Sequence, residues 1–239
     1  CAAPLSAARA DDPSREQVVD TAPRFLVASA GGWGYDLTGS VVNGGRLDFK
    51  NDLNLRASDK KTFALGYIPS RLGWIPALDV DYIQIKANGG ENFPATTLFG
   101  TVQLAPATTI TNHAGINDLE LSARWPFKVG PLTIAAGATA TRLNGPVVVA
   151  IANSSEQRRE DIDQVFPLPS LALIWQPVRS LRITARGDYI RYQGDSAETY
   201  EATALWKILG PLGIEAGYRH RRYKVVDGNY VLDAKLNGA

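Results

Sequence analysis

From Arg24 onward the chain consists of runs in which apolar and polar residues alternate, and a period of two fits extended strand and nothing else. In the clearest run Leu181, Ile183, Ala185, Gly187 and Tyr189 share one face, and Arg182, Thr184, Arg186 and Asp188 share the other. The next runs repeat the design. Tyr200, Ala202, Ala204 and Trp206 oppose Thr199, Glu201, Thr203 and Lys207, and then Leu212, Ile214, Ala216 and Tyr218 oppose Glu215, Arg219 and Arg221. Earlier, Leu119, Leu121, Ala123 and Trp125 oppose Asp118, Glu120, Ser122 and Arg124, while Leu78, Val80 and Tyr82 oppose Asp79 and Asp81. Each strand therefore has one side suited to an apolar medium and one suited to water or to other charges.

Strands are expected over 25–35, 60–69, 76–87, 116–126, 130–143, 166–176, 180–193, 197–208, 211–225 and 229–238, about ten within a range of 8–12. The segment 97–111 fits a hairpin that extends two of them. Short connections fall at 69–76, 126–131, 176–180 and 208–211. The connections between them are 36–59, 88–115, 144–165, 194–196 and 226–228, three of them long. Short turns on one side and longer loops on the other are the habit of outer-membrane barrels. The expectation is thus an all-β, antiparallel up-and-down transmembrane β-barrel over 24–239, closed between first and last strands so that no edge meets lipid.

Aromatic residues give an independent reading. Trp74, Trp125, Trp175 and Trp206 stand at or beside the four short turns. Tyr35, Tyr82, Tyr189, Tyr192, Tyr200, Tyr218, Tyr223 and Tyr230 collect mostly at the opposite strand ends, and Tyr67 is the exception. Rings with an apolar body and a polar edge favour the two membrane–water boundaries. No apolar run approaches the ~20 residues of a membrane helix. That does not count against a barrel, whose strands meet lipid on one side only. A net charge of +1 excludes nucleic acid as the expected partner.

Cys1 is the sole cysteine, so no intrachain disulfide or cysteine metal site is expected. Two readings of residues 1–23 stay open. Cys1 matches the acylated cysteine of a bacterial lipoprotein, or residues 1–10 are a signal-peptide tail with Ala8-Arg9-Ala10 as its cleavage site. Both imply export, with 11–23 as a periplasmic tether.

The inward face carries Asp79, Asp81, Asp118, Glu120, Asp188, Glu201 and Glu215 together with Arg124, Arg182, Arg186, Lys207, Arg219 and Arg221. A bore of about ten strands is little wider than one that side chains can fill. Opposite charges at that radius are expected to pair across it, because unpaired desolvated charges cost several kcal/mol each. In particular Arg182, Arg186 and Arg219 are expected near Glu201, Asp188 and Glu215. The alternative is a narrow channel for small solutes, which a ring of one charge sign would favour; none is found.

Acyl-chain chemistry in a barrel would need a nucleophile and a base. The chain has two histidines, His113 in an expected outer loop and His220 on the outward parity near the outer boundary. Neither is expected to be catalytic. Asp48, Asn51, Asp52 and Asn54 offer oxygen ligands, but the spacing and glycine of a calcium loop are missing and Lys50 interrupts them, so a turn is expected. The mixed run 156–161 is expected at the surface, near lipopolysaccharide sugars or phosphates.

Three motifs in order resemble an uncharacterised family of proteobacterial outer-membrane β-barrels. They are Leu47-Asp48-Phe49-Lys50-Asn51-Asp52-Leu53, Tyr67 to Pro69 followed by Ile75 to Leu78, and Gly217-Tyr218-Arg219. The resemblance spans about 24–239. It implies the fold and the location, and it supplies no catalytic residue. The chain departs from the pattern in a longer proline-flanked turn, with residues 70–74 inserted. It also ends at Ala239 where family members end on an aromatic. The expectation is a structural or anchoring subunit in the outer membrane of a Gram-negative bacterium, without cofactor or metal. Its expected partners are membrane lipid, lipopolysaccharide and other envelope proteins.

Overall fold

A computed structural model describes residues 27–59, 61–67, 75–90, 97–99, 102–104, 109–152, 155, 157–209 and 212–239. Cys1 with the rest of 1–23, and Trp74 with most of the first short turn, lie outside the described residues. In chain order the strands are β1 (Val27–Gly32), β2 (Tyr35–Asn43), β3 (Gly45–Asp48), β4 (Arg56–Asp59), β5 (Lys61–Tyr67), β6 (Ala77–Gly89), β7 (Thr97–Phe99) and β8 (Val102–Leu104). They continue as β9 (Ile110–Val129), β10 (Leu132–Ile151), β11 (Gln157–Val178), β12 (Leu181–Tyr192), β13 (Asp195–Leu209), β14 (Leu212–Asp227) and β15 (Tyr230–Gly238).

Every ladder is antiparallel. The main sheet runs β1-β5-β6-β9-β10-β11-β12-β13-β14-β15-β2-β3, with β4 pairing β6 beyond β5 and β7–β8 forming a separate hairpin. That path holds twelve strands, against the expected ten or so. The first expected strand is β1, which pairs β5, and the expected connection 36–59 instead holds β2, which pairs β15, the short β3 that turns back onto β2, and β4. The expected closure is not formed either. β15 reaches down only to the level of Arg219 and Tyr35, so below that level β1 and β14 have no ladder joining them.

Most of the described residues in the connections expected at 88–115 and 144–165 are strand. β9, β10 and β11 run on as the longest strands of the sheet, and hydrogen bonding continues in one register from Leu132↔Val129 to Ile151↔Ile110. The alternation persists through these stretches with its chemistry exchanged. On β9 the even positions point inward throughout. Asp118, Glu120, Ser122 and Arg124 fill the end near the short turns, and Ile110, Asn112, Ala114 and Ile116 fill the other end. The odd positions do the reverse, from Leu119 to Val129 apolar and from Thr111 to Asn117 polar or small.

The interior therefore has two tiers. Toward the short turns it is charged and hydroxylated. Toward the longer connections it is an apolar core of residues such as Leu37, Val41, Ile83, Leu143, Val147, Phe166, Val225, Leu232 and Leu236. The motif segment after β3 plugs this core, burying Leu47, Phe49, Leu53 and Leu55. A gap among these side chains measures about 20 Å³, room for about one water. Leu47 has no exposed surface, so Leu47→Ala should destabilise the fold by roughly 2–5 kcal/mol in urea titration of the lipid-reconstituted protein. A loss under about 1 kcal/mol would mean that the plug is loosely held.

Candidate functional site

The charged tier is assembled from β6, β9, β12, β13 and β14, and its pairs cross the interior. Arg221 of β14, with no exposed side-chain surface, places Nη1 on Asp118 Oδ2 and Nη2 3.1 Å from Glu120 Oε2, both on β9. The Tyr223 hydroxyl donates to the same Asp118 oxygen at 2.7 Å. Arg186 of β12 binds its strand-mate Asp188, reaches Glu120 at 3.1 Å and approaches Asp81 of β6 at 3.5 Å. Around it Ser122 and Thr139 share a hydroxyl hydrogen bond of 2.9 Å, and Arg186 Nη2 donates to Thr139 Oγ1 at 3.3 Å. β9 and β14 stand five ladders apart along the sheet, so these contacts exist only because the sheet is rolled.

Two further pairs extend the tier toward the short turns. Arg219 donates from Nε and Nη2 to the two oxygens of Glu201 at 3.0 and 2.9 Å, a forked pairing between neighbouring strands. Arg124 lies 3.6 Å from Asp79. Of the three arginine–acid pairings expected by name, Arg219 meets Glu201 and Arg186 meets Asp188. Glu215 does not join them; it is exposed on the lower part of β14, which pairs β13 but lies below the end of β15. Arg182 and Lys207 are half-buried on the inward parity nearer the short turns.

Parity also sorts the aromatics. Trp125, Trp175 and Trp206 face outward, 39%, 47% and 61% exposed, as do Tyr189, Tyr200 and Tyr218. Tyr35 and Tyr223, expected in the outer girdle, are buried inside, and Tyr230 is half-buried against the apolar core. Tyr223 shares parity with Arg219 and Arg221, the signal that places it inward. Trp33, absent from the expected site, is buried against Tyr35 and lies under the Arg219 guanidinium at 5.7 Å.

The remaining candidates have ordinary partners. His113 Nδ1 meets Asn88 at 2.6 Å. His220 meets Asn237 through Nδ1, is approached by Glu198 at 3.5 Å through Nε2, and stacks on Tyr200. Asn237 and Glu198 thus approach the two ring nitrogens of His220. Asp48 Oδ1 accepts from the backbone N–H of Lys50 and Asn51, and Asp52 Oδ2 accepts from that of Asp48. These carboxylates tie the plug together. In the run 156–161, Arg159 binds Asp161 at 2.8 Å and Arg158 binds Glu160 at 2.6 Å.

No family model matches the chain, and no curated protein does. A solved structure, the solid-state NMR structure of outer membrane protein AlkL in DMPC lipid bilayers, is similar at 16% identity and a TM-score of 0.28. The match covers 90% of this chain and 87% of that one. With so low a score, the functional reading has to rest on the chain's own geometry.

Arg221→Met strips the counter-charge from Asp118 and Glu120 in a buried setting, so it should cost about 3–5 kcal/mol by urea titration. Arg159→Met, whose pair with Asp161 is fully solvated, should leave the urea midpoint essentially unchanged in the same assay. On the outer face Arg222 donates to both Asp233 oxygens at 3.0 and 2.8 Å, and this hydrogen bonding holds the carboxyl below its usual range. A depressed carboxyl pKa stabilises the fold above the unfolded value near ~4, and the contribution fades as pH falls through the folded value. Amide protection in β15, taken relative to the intrinsic exchange rate at each pH, should therefore fall below about pH 4. Asp233→Asn should abolish that part of the acid response, and an unchanged response would exclude this pair as its source.

Proposed function

We propose that this chain is an integral β-barrel of the Gram-negative outer membrane, with an occluded interior. In this reading it acts as an anchor that presents a rigid, water-facing platform to other envelope proteins. The observation that carries the reading is the belt of outward apolar side chains around the charged tier. It runs over Leu119, Leu121, Trp125, Phe127 and Val129 on β9, and over Val165, Leu171, Leu173, Trp175 and Val178 on β11. It continues through Tyr200, Trp206, Ile208 and Leu209 on β13, then Leu212, Ile214 and Tyr218 on β14. In water so broad an apolar surface would drive aggregation.

The dimensions suit a bilayer. From Leu119 to Val129 the strand covers about 33 Å at about 3.3 Å per residue. A tilt near 40° reduces this to about 25 Å, the height of an outer-membrane apolar band. Arg142 stands at the upper boundary, opposite Leu119 and Val165, and beyond it the outward residues include Asn117, Asp163, Arg159, Asp161, Glu198, Arg222 and Lys224, which suit water and the sugars and phosphates of lipopolysaccharide. The platform is the apolar-cored tier on that side, stiffened by continuous ladders and by its plug.

Ion pairs across the charged tier and close packing above it support an occluded bore over the narrow channel. The engaged histidines support an anchor over a lipid-modifying enzyme. Purified protein in planar bilayers should give no stepwise conductance, and a stoichiometric envelope partner should co-purify from native membranes. Reproducible conductance steps would replace the anchor with the channel.

A further inference from the structure

Above the outward rings the face of the sheet is not evenly charged. On β12, β13 and β14 the rings of Tyr189, Tyr200 and Tyr218 are 49%, 49% and 54% exposed, and the next outward positions are Arg191, Glu198 and His220. The ladders align the outward positions of this face into two rungs. One runs Arg191–Ser196–Lys224–Asp233 across β12, β13, β14 and β15, and the other runs Tyr189–Glu198–Arg222–Lys235. Four cations therefore stand on these rungs against two carboxylates.

Both carboxylates are already taken. Glu198 lies 3.5 Å from Nε2 of His220, and Asp233 holds the forked pair with Arg222. Among the described residues Arg191, Lys224 and Lys235 form no ion pair, so their charge is uncommitted. On β10 and β11 the outward charges are instead matched one to one, Arg142 with Asp163 at 2.9 Å and Arg159 with Asp161 at 2.8 Å. The run 156–161, where the sequence places contact with lipopolysaccharide, thus has little free charge to offer.

We propose that the β12–β15 face binds the phosphorylated sugar headgroup of an outer-leaflet glycolipid through Arg191, Lys224 and Lys235. The inference rests on the membrane reading above, and it supplies the face and the headgroup chemistry which that reading leaves open. Lys224 and Lys235 lie diagonally across one ladder, about 7–8 Å apart. Arg191 and Lys224 are separated by β13, about 9.6 Å as two ladder spacings. Long side chains on these positions reach a phosphate between them, and the outward Ser196 on the same rung adds a hydroxyl donor. Phosphate is the group that such donors bind most strongly, because the hydrogen bonds are charge-assisted. The height also fits. Arg191 directly follows Tyr189 on the outward face, so the patch begins where the rings end, and acyl chains lying along Tyr200, Tyr218 and Ile214 bring their headgroup to it. An acidic protein would meet the same charges from above, but it has no part that fits against those rings.

The test reconstitutes the full chain in phosphatidylcholine vesicles that also hold lipid A, either bis-phosphorylated or stripped of its phosphates. Retained lipid is counted by native mass spectrometry. The phosphorylated form should be enriched at least about tenfold over the stripped one, and less so as salt is raised. Combining Arg191→Gln, Lys224→Gln and Lys235→Gln should abolish the enrichment, while Arg159→Gln and the pair Lys224→Arg, Lys235→Arg should keep it. Equal retention of the two lipids, an unchanged triple variant, or an equal loss in Arg159→Gln would overturn the proposal. Release of the lipid by equimolar inorganic phosphate would reassign the face to a free anion, and release by an equimolar polyglutamate peptide would reassign it to an acidic protein.

If the triple variant fails to fold, the three single glutamine variants decide, each expected to lower the enrichment by roughly threefold; no change in any of them would sink the idea. Quenching of tryptophan fluorescence by brominated lipid checks the membrane reading separately. Quenching without enrichment removes the headgroup site alone, whereas absent quenching removes the membrane reading and the site with it.

Discussion

A strand cannot change the parity of its side chains without a bulge, so a strand that passes from lipid into water must exchange the chemistry of its two faces partway along. β9 does this between Asn117 and Leu119 without a break in its pairing to β10. Above the crossing the inward positions are apolar apart from Asn112, which donates to Leu53 O of the plug, and the outward ones are polar or small; below it the assignment is reversed. Both halves obey the same rule, that each side chain meets the medium it suits. The two tiers of the interior are the consequence of that crossing.

Below it, charges can only point inward, and there they must find partners. Arg221 illustrates the cost: a fully desolvated guanidinium is tolerable because Asp118 and Glu120 both face it, with Tyr223 as a further donor to Asp118. Above it, charge is found on the inward face at the far end, where Arg158 pairs with Glu160, and side-chain volume fills the rest. The plug residues Leu47, Phe49, Leu53 and Leu55 supply what the strands alone would leave empty, while Asp48 and Asp52 satisfy the backbone of the turn that carries them. One end of the interior is thus closed by ion pairs and the other by packing.

Much of this is legible in the residues. The period of two identifies the strands, and parity alone gathers Asp79, Asp81, Glu120, Arg124, Arg186, Asp188, Glu201, Arg219 and Arg221 on one face. What the alternation does not reveal is where the two faces exchange their chemistry, because Ile110 to Ile116 and Leu143 to Val149 alternate as well as the stretches with outward apolar residues do. Reading apolar residues as outward everywhere turns these stretches into loops. It also puts Tyr35 and Tyr223 in the wrong place, although the parity of Arg219 and Arg221 assigns Tyr223 to the interior. Which acid meets which base depends on how far each strand is offset from partners several ladders away, and single-strand patterns carry no such information. Glu215 is the case in point, inward by parity yet beside an open edge.

The crossing itself can be measured along one strand. With Cys1 replaced, single spin-labelled cysteines placed through 111–129 in bilayers would report accessibility to oxygen, which partitions into lipid, and to a water-soluble nickel chelate. Odd positions from 119 to 129 should be open to oxygen and closed to nickel, odd positions from 111 to 117 open to nickel, and even positions closed to both. Nickel access at odd positions along the whole strand would contradict the crossing, since β9 would then stand in water from end to end.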